Sequence, residues 1–119
     1  MRLDLELPWP PSANKNWKYG RGQVRLSEKS RSYRQEIQTL AYTWNPRRIE
    51  GRLAAHIIAY PPDRKARDLD NLLKVTLDSL QGADVFENDS HIDLITIRRD
   101  APIKNGLLRV SLISTEDER

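Results

Sequence analysis

Cysteine is absent from this 119-residue chain, which removes disulfides, thiolate metal sites and thiol nucleophiles from its possible chemistry. Histidine occurs only twice, so a bound metal would be held by oxygen ligands or by those two imidazoles. Glycine is also sparse, at five residues, and no glycine-rich phosphate loop or nucleotide-binding fingerprint is present. No apolar run approaches the roughly 18 residues of a membrane span. Asp4 and Glu6 interrupt the start of the chain, which therefore lacks the apolar core of a signal peptide. A soluble, intracellular single domain over residues 1–119 is the expectation. At 31% charged and 38% hydrophobic the composition is not that of a disordered chain.

Acidic residues are scarce in the first half. Residues 1–60 hold 11 basic and 5 acidic side chains, while residues 61–119 hold 9 and 12. Between Ser12 and Arg34, Lys15, Lys18, Arg21, Arg25, Lys29, Arg31 and Arg34 face only Glu28. A basic segment followed by an acidic cluster suits a protein that holds a polyanion and presents it to a metal site. A solvated basic loop and helix face gives the same pattern.

Leu3, Leu5 and Leu7 alternate with polar residues as in a strand buried on one face, and Pro8-Trp9-Pro10-Pro11 stops it. From Ser12 to Leu26 no period survives, which reads as a long loop. Ser27 is a plausible N-cap for a helix from Glu28 to Trp44, whose apolar residues Tyr33, Ile37, Leu40, Ala41 and Trp44 follow helical spacing. Leu53 to Tyr60 is apolar on both alternating faces and predicts a strand buried on both sides. A second helix begins at Asp68, with Leu69, Leu72, Leu73, Thr76, Leu77 and Leu80 on its apolar face and Gly82 just past its end. Glu87 to Ser90 reads as a turn or capping segment. Ile92 to Arg99 and Leu107 to Ile113, separated by Pro102 and Asn105-Gly106, read as a terminal hairpin. The fold class is α+β: a small mixed sheet packed by two helices.

Arg67-Asp68-Leu69-Asp70-Asn71-Leu72-Leu73-Lys74 is the most informative segment. If Asp68 caps the second helix, Asp70 lies in its first turn and Lys74 one turn further on the same face. Paired carboxylates suit Mg²⁺, which takes one or two carboxylates together with waters and substrate phosphate. Ordinary capping and an i,i+4 surface pair explain the same residues. The apolar context favours the metal site, because Leu69, Leu72, Leu73 and Leu77 pin the helix and mount its carboxylates rigidly. Asp89 is the candidate third ligand, since short connections are expected to keep its turn near the helix. Glu87, Asp84 and Asp78 are also acidic, with Asp78 ranked lowest. His91, beside Asp89, is a candidate base or ligand and more often a surface residue; His56 reads as a sheet-face histidine. No nucleophilic triad spacing is found.

Leu7-Pro8-Trp9-Pro10-Pro11-Ser12, the asparagine- and aromatic-rich basic loop, Arg67-Asp68-Leu69-Asp70-Asn71-Leu72-x-Lys74 and a late Asp after an apolar dipeptide together resemble the RusA family of Holliday-junction resolvases. Order and spacing match over essentially the whole chain. The resemblance implies a homodimeric, Mg²⁺-dependent endonuclease of bacterial or prophage type, cytoplasmic, with no organic cofactor, that makes paired nicks in four-way DNA junctions; Mn²⁺ can substitute. It places the catalytic acids on Asp68, Asp70 and Asp89, all three as metal ligands, the essential lysine on Lys74, and a DNA-binding cation on Arg67. Members often carry two adjacent acids where this chain has Asn88-Asp89, so the first acid is missing here.

On this reading Lys15, Lys18, Arg21, Arg25, Arg64, Lys65 and Arg67, with Asn71 on the helix's polar stripe, contact DNA, the cations tracking its backbone. Trp9, Trp17 and Tyr19 either stack on unpaired bases or pack the loop. Two readings stay open beside the resolvase: a non-enzymatic nucleic-acid-binding module whose acids merely cap a helix, and a metal-dependent nuclease for other branched DNA or RNA.

Overall fold

In a computed structural model of the chain, the described residues are 1–11, 17–20, 23–26, 28–44 and 48–115. In chain order the elements are β1 (Arg2–Leu7), β2 (Trp17–Gly20), β3 (Gln23–Leu26), α1 (Glu28–Trp44), β4 (Leu53–Tyr60), α2 (Leu69–Gly82), a short 3-10 turn (Asp89–His91), β5 (Ile92–Arg99) and β6 (Leu107–Ser114). Four strands form one mixed sheet in the order β1-β6-β4-β5, with β4 antiparallel to β6 and parallel to β5.

The side-chain alternation sorts the sheet into two unlike faces. Leu5 and Leu7 of β1, Leu53, Ala55, Ile57 and Ala59 of β4, and Leu108, Val110 and Leu112 of β6 join one buried cluster with Tyr33 and Ile37 of α1 and Leu72, Val75, Leu77 and Leu80 of α2. Ile49, Val85 and Phe86 close the same core, and the Ile49 amide donates to the Val85 carbonyl at 2.9 Å. The opposite face is polar and only part-covered: Asp4 accepts from Arg2 and Ser111, Arg109 lies 5.6 Å from the Tyr60 ring centre, and His56 Nδ1 lies 2.7 Å from Thr96 Oγ1. Hence His56, Ile58 and Tyr60 are half-buried rather than sealed in.

Three expectations are corrected. Ile92 to Arg99 and Leu107 to Ile113 do not pair as a hairpin, because β4 lies between them. An eight-residue strand with apolar residues on both faces gains most at the sheet's centre. Asn105 (φ 70) and Gly106 (φ 72) do form a turn, closed by the Gly106 amide on the Ile103 carbonyl at 2.8 Å, but it serves a connection that crosses β4. The stretch read as a loop from Ser12 to Leu26 contains the antiparallel pair β2–β3. Gly82 ends α2 instead of following it, with Ala83 at the C-cap. Ser27 lies outside the described residues.

α1 and α2 are tied by the Arg34–Asp78 ion pair at 3.6 Å and by Gln38 Nε2 donating to the Gly82 carbonyl at 3.3 Å. The buried hydroxyls of Thr76 and Ser79 donate to Leu72 and Val75 carbonyls one turn back, so burial leaves them satisfied. No helix among the described residues is long and apolar enough to cross a membrane.

Candidate metal centre and nucleic-acid face

The segment entering α2 is held by its own polar groups. Asp63 accepts the Lys65 amide at 2.9 Å and the Arg67 guanidinium at 2.7 Å. The same Arg67 nitrogen reaches the carbonyls of Lys65 at 3.2 Å and Asp63 at 3.4 Å. The Arg67 bond, then the Lys65 amide, hold the Asp63 carboxyl down at about 2. Arg67 also lies over the Trp9 ring, 5.6 Å from its centre. Trp9 in turn fills the space a side chain at Gly106 would need: a Cβ there would meet Trp9 Cβ at 2.8 Å and Pro62 Cδ at 3.0 Å. Tyr33 anchors the preceding residue by donating to the Pro8 carbonyl at 2.8 Å, and burial pushes its phenol up. Trp9 therefore packs the loop rather than standing ready to stack on a base. From β5, the Arg99 guanidinium bonds the Arg67 carbonyl, immediately before the helix starts.

Asp68 sits at the N-cap with extended backbone (φ −88, ψ 130) yet makes no side-chain cap bond. Asp70 follows in the first turn; both are exposed, and neither carboxylate has a hydrogen-bond or ion-pair partner among the described residues. A capping aspartate normally spends its carboxylate on N2 or N3 amides. Asp68 keeps it available instead. Lys74 is exposed one turn beyond Asp70, and Leu72, Val75 and Leu77 fix this helix to the core. Asn71 is exposed beside them.

Asp89 is not at this end of the helix. Its amide donates to Gln81 Oε1 at 2.9 Å, next to the C-terminus of α2. Eleven residues separate Gln81 from Asp70, about 16 Å along a helix axis. From Asp89 the 3-10 turn leads into β5, which runs back to Arg99 at the Asp68 end. The connection from α2 into β5 is indeed short, and for that reason it delivers Asp89 to the far end of α2. No group of three or more Asp, Glu or His side chains that could hold a metal ion gathers among the described residues.

The remaining acids have other employment. Asp78 pairs with Arg34, and Asp84 with Arg48 at 2.9 Å. Glu87 lies 3.9 Å from the buried Nδ1 of His91. Asn88 caps the 3-10 turn by accepting the Ser90 amide at 2.8 Å.

Arg64 and Lys65 are exposed on the loop and, with Asp63, Arg99, Asp100 and Pro102, line a groove of about 450 Å³. Sequence reasoning missed Arg99 and its neighbour Arg98; their only signal was a basic pair at the end of an apolar strand. It also missed the engagement of Arg67 by Asp63 and Trp9. Lys18 and Arg25 are register partners across β2 and β3. Lys15 and Arg21 lie outside the described residues.

Comparison with known proteins shows the family. A family model described as Endodeoxyribonuclease RusA matches residues 8–111. Relatives named crossover junction endodeoxyribonuclease RusA occur in Enterobacteria phage HK97, 34% identical over 116 residues and 92% of each chain, and in Enterobacteria phage 82, 28% identical over 123 residues and 96% of each. Another, from Escherichia coli strain K12, is 27% identical over 115 residues and 96% of each chain. With the match running from the Pro8-Trp9 turn through the α2 carboxylates to β6, the chain belongs to the RusA endodeoxyribonuclease family.

Proposed function

We propose that this protein resolves four-way DNA junctions by paired, metal-dependent phosphodiester hydrolysis, acting as a homodimer in the cytoplasm of a bacterium or of a cell carrying its prophage. The observation that carries the reading is the pair of unpartnered carboxylates, Asp68 and Asp70, on a core-anchored helix start within a chain of this family.

The donor set fits a hard divalent cation, since Mg²⁺ binds one or two carboxylates and keeps several waters, and Mn²⁺ accepts the same oxygens. When bound, such a cation supplies charge neutralisation at the scissile phosphate and a more acidic water. Asp68 and Asp70 would hold it. Asp89, about 16 Å away along α2, would serve a site in a second copy of the chain, so that each site is built from two subunits. Lys74, a compact charge with three mobile donors, would meet the negative charge growing on the phosphate or the leaving oxygen. Arg64 and Lys65 would grip DNA backbone beside the helix start, with Lys15, Lys18, Arg21 and Arg25 extending that grip and Asn71 adding a polar contact. Arg67 would act chiefly by keeping the loop in place under Asp63 and Trp9. Two identical sites related by a two-fold axis match a substrate with two symmetric strands to cut.

The test is incubation of the purified protein with Mg²⁺ and labelled four-way junction, duplex or single strand. Nicking confined to the junction and stopped by a chelator is the expected result. Binding without cleavage in either Mg²⁺ or Mn²⁺ would refute the nuclease reading in favour of a binding module.

A further inference from the structure

Asp68 occupies the N-cap of α2 without the side-chain bond that ordinarily fixes a helix's first turn. The helix's own first bond is also long, with the Leu72 amide 3.4 Å from the Asp68 carbonyl, against about 2.9–3.0 Å for a well-made one. A carboxylate left open for a cation must still be held in place, because a metal site is only as exact as the backbone that carries it. Besides the burial of Leu72, something other than capping has to hold this turn.

The end of β5 supplies that hold. Alternation along the strand sends Arg98 and Arg99 to opposite faces of the sheet. Arg98 is the register partner of half-buried Ile58 on the polar face, and Arg99 that of Ala59, which is sealed in the core. Arg99 therefore leaves the sheet on the helix side, where its guanidinium donates to the Arg67 carbonyl, the last backbone acceptor before Asp68. The backbone beyond Arg99 is fixed in turn, with the Asp100 amide donating to the Ala59 carbonyl at 2.8 Å and the Ile103 amide to the Pro61 carbonyl at 2.9 Å. Asp63 grips the Arg67 side chain at 2.7 Å, so the residue preceding Asp68 is held at both its side chain and its carbonyl.

We infer that Arg99 is a positioning residue for the metal site: through the Arg67 carbonyl it holds the first turn of α2, and with it Asp68 and Asp70, in the orientation that binds the cation. The inference rests on the proposed ligand pair and adds a residue that touches neither cation nor substrate. The choice of acceptor matters, since a guanidinium paired with Asp68 itself would compete with a cation for the carboxylate oxygens. Bonded to the preceding carbonyl, it orients the carboxylate and leaves it open. Arg99 also lines the groove with Arg64 and Lys65, and a grip on DNA phosphate is the competing role for it.

The two roles separate in the absence of DNA. Mn²⁺ binding to the DNA-free protein is measured by electron paramagnetic resonance, and amide hydrogen exchange without metal is measured at Leu72 and Leu73, the first amides that the helix protects. The variants are Arg99→Met and Arg99→Lys, with Arg98→Met to control for loss of one positive charge and Asp70→Asn to remove a ligand. Arg99→Met should weaken Mn²⁺ binding about tenfold or more and speed exchange at both amides, with an unchanged far-ultraviolet circular dichroism spectrum. Charge alone predicts the opposite sign, because removing a nearby cation favours a bound Mn²⁺. Arg99→Lys, which keeps a charged donor on a long stem, should recover most of both properties, and Arg98→Met should alter neither. Unchanged Mn²⁺ affinity in Arg99→Met would overturn the inference: with weaker junction binding and a shallower salt dependence it would make Arg99 a phosphate contact, and with faster exchange alone a mere tie on the helix. Equal weakening by Arg98→Met would overturn it as well. Mn²⁺ binding that Asp70→Asn leaves intact would instead refute the ligand pair itself, and the inference with it.

Discussion

Asp70→Asn and Asp89→Asn should each be inactive alone and should rescue one another when mixed. The two residues lie at opposite ends of α2, separated by at least the eleven residues from Asp70 to Gln81, about 16 Å. A cation binds carboxylate oxygen at about 2.1 Å, and no rotation of an aspartate side chain spans that gap. If each site takes Asp68 and Asp70 from one copy and Asp89 from the other, a mixed dimer gathers both substitutions in one site and none in its second. Free exchange at equal concentrations makes about half the dimers mixed, so about a quarter of wild-type sites return. The assay is nicking of a supercoiled plasmid carrying an extruded cruciform, with subunit exchange verified by differential tags. Recovered activity should produce nicked circles rather than linear molecules, because a mixed dimer cuts one strand. No recovery despite verified exchange would refute the shared site and remove Asp89 from the ligand set.

Lys74→Ala should slow single-turnover cleavage by about 10²-fold or more while metal binding persists; an unchanged rate with about 0.5 kcal/mol less stability would reduce Lys74 to a surface charge. Charge reversal at Arg64 or Lys65 should flatten the dependence of junction affinity on salt, by about 0.9 in the log–log slope for each phosphate no longer neutralised, and an unaltered slope would take them off the DNA path. Asp63 is held at about 2, so it stabilises the loop above its ordinary value of 3.8 and gives that up as pH falls through about 2. Carboxyl titration by NMR should return it toward 3.8 in Arg67→Gln, and a midpoint that does not move would contradict the Arg67 assignment. Gly106→Ala should cost about 2 kcal/mol or more, since it combines a left-handed backbone with a clash against Trp9. Gly51→Ala, at φ +73 in open space, should cost only about 1 kcal/mol, and equal thermal shifts for the two would refute the packing role of Trp9.

What local periodicity governs was legible in the sequence. The span of α1, the start of α2 and the placing of Asp70 and Lys74 one turn apart follow from helical spacing and from Asp68 as N-cap, because these are relations within a few residues. What non-local pairing governs was not. The Asn105-Gly106 turn is real, yet whether β5 and β6 pair depends on β4 taking the place between them. The β2–β3 pair is harder to read because each strand has only four residues, too few for the alternation of Trp17 and Tyr19 with Lys18, or of Val24 and Leu26 with Arg25, to stand out from its surroundings. Asp89 was misplaced for a related reason: a short connection says which end of α2 it leaves, and α2 itself then separates it from Asp68. Arg67 reads in the sequence as a DNA-binding cation, and its contacts with Asp63, Trp9 and the backbone carbonyls come from the folded loop, which spacing does not encode.

The central claim is that the carboxylates at the start of α2 bind the cation that makes this chain a nuclease. Single-turnover cleavage of a labelled four-way junction by Asp70→Asn in saturating Mg²⁺, with junction affinity measured in parallel, tests it most directly. The account predicts that nicking is abolished while the junction is bound at least as tightly, because a negative charge facing phosphate has gone. Near wild-type turnover by that variant would contradict it.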